Sequence, residues 1–291
     1  MRPRDVAELL LLSLLWGAAY LFMRAAVPAF GPAPMIALRM VIAAAVLLPL
    51  LAMRGGLPQL TARPRALLVQ GLLYTALPFL MLGWSAQHLA AGLLAVLNAT
   101  APLFAALLAQ LVFNERLGRW RVAGLVIGFA GVLVLTAGSV SFRSADGLLA
   151  VATVMGVSAI WAFGANHTRR HLAALDSLAL TVGTMGLASL ALAPLAAATW
   201  PVTPPPLRAW AEVVFLGVVS SGLGFLLYFR LLRRVGPVRA MSVTFLNPVV
   251  ALLAGAAYLG EAITWQTVAG AAIVLAGTAL ALGLLGERAR G

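Results

Sequence analysis

The chain is 291 residues long, and 63% of them are hydrophobic while only 10% are charged. A water-soluble domain carries about 45–50% apolar and about 25% charged residues, so these proportions, with a mean hydropathy of +1.02, describe a surface solvated by lipid. The formal charge of +12 invites a nucleic-acid reading, but the basic residues form no block or stripe and sit in short connections between apolar runs, which excludes it.

A helix needs about 20 apolar residues to cross a hydrocarbon core of roughly 30 Å. In chain order, ten such runs are legible: 6–27, 33–53, 65–83, 89–112, 120–138, 147–166, 177–198, 208–230, 236–258 and 266–285. Breaks rich in Pro, Gly or charge separate them, among them PAFGPAP at 28–34, RGGLPQLTARPR at 54–65, NERLGRWR at 114–121 and WPVTPPP at 200–206. The first run follows Arg2 and Arg4 as a signal peptide would. It continues to Val27, past the about 7–15 residues of a signal h-region, and so reads as an uncleaved span. Continuous runs, without period-two alternation, exclude a β-barrel. The expected fold class is an all-α integral membrane protein of ten transmembrane helices, with loops too short for a sizeable extramembrane domain.

All 20 basic residues are Arg. With the N-terminus inside, the ten-span frame puts Arg2, Arg4, Arg54, Arg63, Arg65, Arg116, Arg119, Arg121, Arg169, Arg170, Arg230, Arg233, Arg234, Arg239, Arg288 and Arg290 in cytoplasmic segments. Only Arg143 and Arg208 fall outside, and Arg24 and Arg39 fall within spans. This positive-inside bias predicts a multi-pass protein of the cell (inner) membrane with both termini cytoplasmic.

The chain also repeats itself. Trp16, Arg24 and Pro49 recur as Trp161, Arg169 and Pro194, each 145 positions on. Gly71, Pro102, Glu115, Gly124 and Gly131 recur as Gly217, Pro248, Glu261, Gly270 and Gly277, each 146 on. Two five-helix halves, 1–142 and 143–291, are therefore expected to be fused. Five is odd, so the second half enters the membrane from the opposite side, as in the inverted repeats of secondary transporters, whose substrate sites lie at the repeat interface near the midplane.

The first span, LLLSLLWGAAYLFMRAAV, resembles the opening of EamA-type proteins of the drug/metabolite transporter superfamily, and APMIALRMVIAAAVLLPL resembles that family's second helix with its Arg, here Arg39. The runs from Pro102 through Glu115 to Gly131 and from Pro248 through Glu261 to Gly277 resemble the family's repeated Pro–Glu–Gly pattern. The resemblance covers essentially the whole chain. It implies a ten-helix carrier of small metabolites, often amino acids or related compounds and frequently exported. One departure is Arg24, where the family often has Lys.

Candidate functional residues follow from depth in the spans. Arg39 lies about seven residues inside the outer end of its helix, roughly 10 Å deep at 1.5 Å per residue. A charge near the core costs on the order of 3 kcal/mol, so it must be solvated or paired. It reads either as a carboxylate-gripping group on the substrate path or as an arginine snorkelling to the interface. Trp16 and Trp161 lie mid-span, whereas belt tryptophans stand at span ends. With Tyr20, Tyr74, Asn98, Thr244 and Asn247 they form a candidate substrate path, each also readable as inter-helix packing. Arg24 and Glu261 share the outer face, and Arg169 and Glu115 the inner one. Cross-repeat contacts Arg24–Glu261 and Arg169–Glu115 are expected as gates or structural ion pairs, against the alternative that each Glu caps the helix that follows it.

No acid lies mid-span, which argues against a carboxylate relay in the membrane core. Without Cys or Lys, thiolate metal sites and Lys- or Cys-based covalent chemistry are excluded. His167 and His171 have metal-compatible spacing, but beside Arg169 and Arg170 they read as a cytoplasmic turn. No cofactor, metal or catalytic residue is expected, and an intramembrane enzyme would need a mid-span nucleophile–base set that is absent. The expected partners are a small-molecule substrate and membrane lipid, with the oligomeric state left open. A flippase for lipid-linked substrates and an accessory membrane subunit are the alternatives.

Overall fold

The computed structural model describes residues 3–111, 118–137, 144–235 and 243–282. These residues are predominantly helical, with short turns and loops between the helices, and contain no strand. The first helix, α1 (Pro3–Phe30), and the second, α2 (Pro32–Met53), are separated by Gly31 alone, at φ 75°. That positive φ favours glycine, and Pro32 then supplies a preset first helical turn. Helix α3 (Pro64–Ser85) follows, and α4 runs over 91–111 with a turn at Ala99 and Thr100. Next come α5 (Arg119–Ala137), α6 (Ala145–Leu172), α7 (Ser177–Ala198), α8 (207–235), α9 (Val243–Leu259) and α10 (Trp265–Ala281).

Among the described residues, seven helices are long and apolar enough to cross a membrane, and α9 and α10 are shorter apolar helices. Helix starts are capped as their residues allow. Ser144 accepts from the Gly147 N–H at 3.1 Å, Asp176 from Leu178 at 3.1 Å and Thr264 from Thr267 at 3.2 Å. Two helices were read too short from the sequence. Helix α1 passes through Pro28, and α6 continues beyond position 166 through a widened π-helical turn, Thr168–Leu172. Polar residues alone do not end a helix once its backbone bonds are made.

The contacts between helices respect the internal repeat. Helix α1 lies against α8 and α9, and its repeat mate α6 lies against α3 and α4. Helices α2 and α7 pair with each other, as do α5 and α10. Exchanging the halves leaves this pattern unchanged. Side chains repeat too: Trp16 stacks on Phe225 with centroids 5.4 Å apart, and Trp161 on Phe79 at 5.7 Å. Phe225 follows Phe79 by 146 positions, the offset of the other mates.

Helices α5 and α10 meet backbone to backbone. A Cβ on Gly277 would run into the Gly128 backbone nitrogen, and one on Gly124 would lie 2.7 Å from the Gly277 carbonyl oxygen. Such small-residue faces are how helices associate where no hydrophobic force drives them together.

Candidate functional site

Helices α3 and α8 both widen to π geometry at equivalent places, Leu72–Ala76 and Phe215–Leu223. In α3 the cause is local: Pro78 has no N–H and crowds the carbonyl of Tyr74 four residues back. In α8 the widened stretch carries Ser220 and Ser221, both fully buried. Widened turns of this kind concentrate at functional sites.

Arg39 of α2 points at that stretch. It is 3% exposed, its Nε donates to the Ser221 hydroxyl at 2.8 Å and its Nη2 to the Ser220 hydroxyl at 3.3 Å. Its guanidinium carbon stands 4.5 Å from the centroid of Phe79. Among the described residues no carboxylate is bonded to it, so a full positive charge is held in the bundle by two hydroxyls and a ring. Buried charges are ordinarily paired.

The neighbouring groups come from α1, α4 and α9. Trp16 donates its indole N–H to the Ser220 carbonyl at 3.1 Å and leans on Phe225 and Tyr228. One turn on, the buried Tyr20 hydroxyl accepts from the Asn98 amide at 2.6 Å. Between them Gly17 faces α9, where a Cβ would meet the Asn247 carbonyl oxygen at 3.0 Å. Among the described residues, the amide oxygens of Asn98 and Asn247 are both buried without a hydrogen-bond partner.

Five residues of the expected path therefore gather around one face of α1: Trp16, Tyr20, Arg39, Asn98 and Asn247. Trp161 joins through Phe79, which it shares with Arg39. Tyr74 is drawn elsewhere, with its ring 5.4 Å from that of His167 and its Cβ against Gly164. Thr244, the repeat mate of Asn98, lies half-buried one turn before Asn247. Ser220, Ser221 and Phe79 were not singled out in the sequence.

The charged ends of the bundle depart from expectation. Arg24 donates to the Ala86 and Gln87 carbonyls at 2.7 and 2.9 Å, closing the C-terminal end of α3. Glu261 accepts the Ala91 N–H with both oxygens at 3.0 Å, closing the N-terminal end of α4. The two charges thus clasp opposite ends of one loop, 86–91, and do not bond to each other. Helix termini leave orphan donors and acceptors, and these captured both side chains. Arg169 is exposed and donates to Asn166 at 3.0 Å. Glu115, its expected partner, lies outside the described residues.

The opposite face, which carries the start of α1, holds an ionic cluster that sequence reading missed. Arg234, near the end of α8, bonds Glu8 and stands 3.6 Å from Asp5, and Arg4 reaches Glu8 at 3.2 Å. Anions at a helix start and a cation at a helix end both suit the helix dipole. The repeat mates of Asp5, Glu8 and Arg234 are Ala150, Thr153 and His88, so this cluster has no counterpart in the other half.

A family model described as the EamA-like transporter family matches residues 6–137 and again residues 148–283. The uncharacterized inner membrane transporter YedA of Escherichia coli (strain K12) is 29% identical over 255 residues, 87% of this chain and 82% of that protein. A probable terminal-alkyne amino-acid exporter of Streptantibioticus cattleyicolor is 28% identical over 286 residues, 95% of this chain and 93% of the exporter. A crystal structure 21% identical in sequence superposes with a TM-score of 0.72 over 98% of each chain, a likeness of fold.

Proposed function

The chain belongs to the EamA-like transporter family, and from that premise we propose a secondary carrier that moves a small carboxylate-bearing metabolite across the cell membrane. Amino acids and related compounds are the cargo class, export is the direction, and alternating access is the mechanism. The observation that carries the reading is Arg39, a buried guanidinium bonded among the described residues to hydroxyls and a ring and to no carboxylate. Such a group grips a carboxylate through two parallel hydrogen bonds, and the water-poor bundle strengthens that attraction. The exporter relative, similar over nearly the whole chain, supports both cargo class and direction.

In this reading ten spans form two halves of opposite orientation, with both termini cytoplasmic. The exchange-symmetric helix contacts support it, because a carrier built from two related halves reaches its second state by swapping their arrangements. The Asp5–Glu8–Arg234 cluster closes the cytoplasmic side, and Arg24 with Glu261 holds the loop that closes the outer side. Trp16, Tyr20, Asn98, Trp161 and Asn247 line the path, with Thr244 one turn from Asn247.

Purified protein in proteoliposomes tests the reading by counterflow. Liposomes loaded with unlabelled amino acids should accumulate the same labelled compounds, saturably and with dependence on Arg39. A flat response across amino acids and other small carboxylates would overturn it.

A further inference from the structure

We infer that the cargo is a zwitterion held at both ends, with its carboxylate on Arg39 and its ammonium on the amide oxygens of Asn98 and Asn247. The inference rests on the carrier reading and adds the second half of the site. Native proteins leave few buried polar atoms unpaired, and each calls for an explanation. Among the described residues three side-chain oxygens are buried without a partner: Gln70 Oε1, Asn98 Oδ1 and Asn247 Oδ1. Gln70 belongs to a different level, one turn before Tyr74 on α3. The two asparagines belong to adjacent helices, since α4 and α9 are in contact, and both border the same stretch of α1.

Local bonds place the three residues along the same stretch of α1. The Asn98 amide nitrogen is committed to Tyr20 at 2.6 Å, which turns its oxygen away from Tyr20. Asn247, 6% exposed, sits where its backbone oxygen bears on Gly17, between Trp16 and Tyr20. Arg39 reaches the same stretch through Ser220, which takes the Trp16 indole on its carbonyl and the guanidinium on its hydroxyl.

The chemistry is complementary. An ammonium has three donors and no acceptor, and an amide oxygen accepts only. A carboxylate accepts only, and Arg39 donates only. A cargo with one group of each kind gives both amide oxygens a donor and the guanidinium an anion, and such a ligand is neutral overall. Two neutral amides bring no anion to compete with the carboxylate for Arg39.

The test compares three chemical series in the counterflow assay: L-amino acids, the matching des-amino carboxylic acids, and the matching amino-acid amides. Sites built to hydrogen-bond a ligand N–H discriminate strongly against analogues that lack it. L-amino acids should exchange at least about tenfold better than either analogue, and Asn247→Ala should erase most of the preference over des-amino acids. Asn98→Ala should do the same, and unchanged melting of Asn247→Ala guards against a folding artefact. Equal exchange of amino acids and des-amino acids would overturn the ammonium seat while the carrier reading stands. Equal exchange of amino acids and their amides would remove the carboxylate grip. No exchange in any series would overturn the carrier reading itself.

Discussion

Replacing Arg39 separates a cargo-binding arginine from a structural one. The side chain makes two hydrogen bonds to serine hydroxyls and one contact with Phe79. Hydrogen bonds of a charged group are worth about 1.5–3 kcal/mol each, and a desolvated cation–π contact adds about 2 kcal/mol. Against these stands the burial of the cation, on the order of 3 kcal/mol at mid-membrane. These terms leave a net of about 2–5 kcal/mol in favour of the arginine, part of which a glutamine amide keeps through the same hydroxyls, so Arg39→Gln should melt somewhat below the wild type. Binding behaves differently, because a bidentate carboxylate has no replacement for the guanidinium fork. Losing one charge-assisted bond of about 3 kcal/mol raises the half-saturation concentration about a hundredfold. Arg39→Lys keeps the charge but loses the planar fork, and should fall between the two, about tenfold weaker than wild type. The assay is counterflow at graded substrate concentration, with thermal unfolding followed on the same preparations. An unchanged half-saturation for Arg39→Gln, together with a marked drop in melting temperature, would show that the residue serves the scaffold and would refute the reasoning.

The remaining predictions concern the ends of the bundle and its rigid pair. Glu261→Gln keeps one acceptor for the Ala91 N–H but removes a charge worth about 0.3–1 kcal/mol at the start of α4. A cysteine introduced at Ala90 should then react faster with a membrane-impermeant thiol reagent, a clean readout because the chain has no native cysteine; unchanged labelling would mean that the clasp does not hold the loop. Arg234→Glu should break the cluster with Asp5 and Glu8 and slow counterflow, and adding Glu8→Arg should restore part of the rate. A double variant no better than the single one would deny the cluster any role as a closure. Gly277→Leu places a side chain where the Gly128 backbone lies, so α5 and α10 must separate. Such overpacking costs typically about 1–3 kcal/mol, seen as a lower melting temperature, whereas Gly186→Ala, with nothing within 4 Å of its Cβ, should leave melting unchanged apart from a small gain in helix propensity.

What could be read before any coordinates depended on how far a signal spreads along the chain. Span lengths and the 145–146-residue offset are written across the whole sequence, and the Trp16–Phe225 and Trp161–Phe79 pairs lie on that register. Arg39 stood out because a charge inside an apolar run is rare. Its partners did not, since serines are ordinary in spans and the contact joins residues 182 positions apart. The expected Arg24–Glu261 pair fails for a related reason. Complementary charges are visible in a sequence, but the orphan carbonyls at Ala86 and Gln87 and the N–H at Ala91 carry no residue type to read. Three of the proposed path residues stand where the repeat breaks. The mate of Arg39 is Thr184, whose hydroxyl turns back to the Leu180 carbonyl at 2.9 Å, and the mates of Tyr20 and Asn247 are Ala165 and Ala101. Duplication preserved the tryptophans and glycines that hold the helices in contact, a task both halves share. In the proposed reading a cargo with unlike ends needs unlike groups to receive it, and the unmatched Arg39 and Asn247 are such groups.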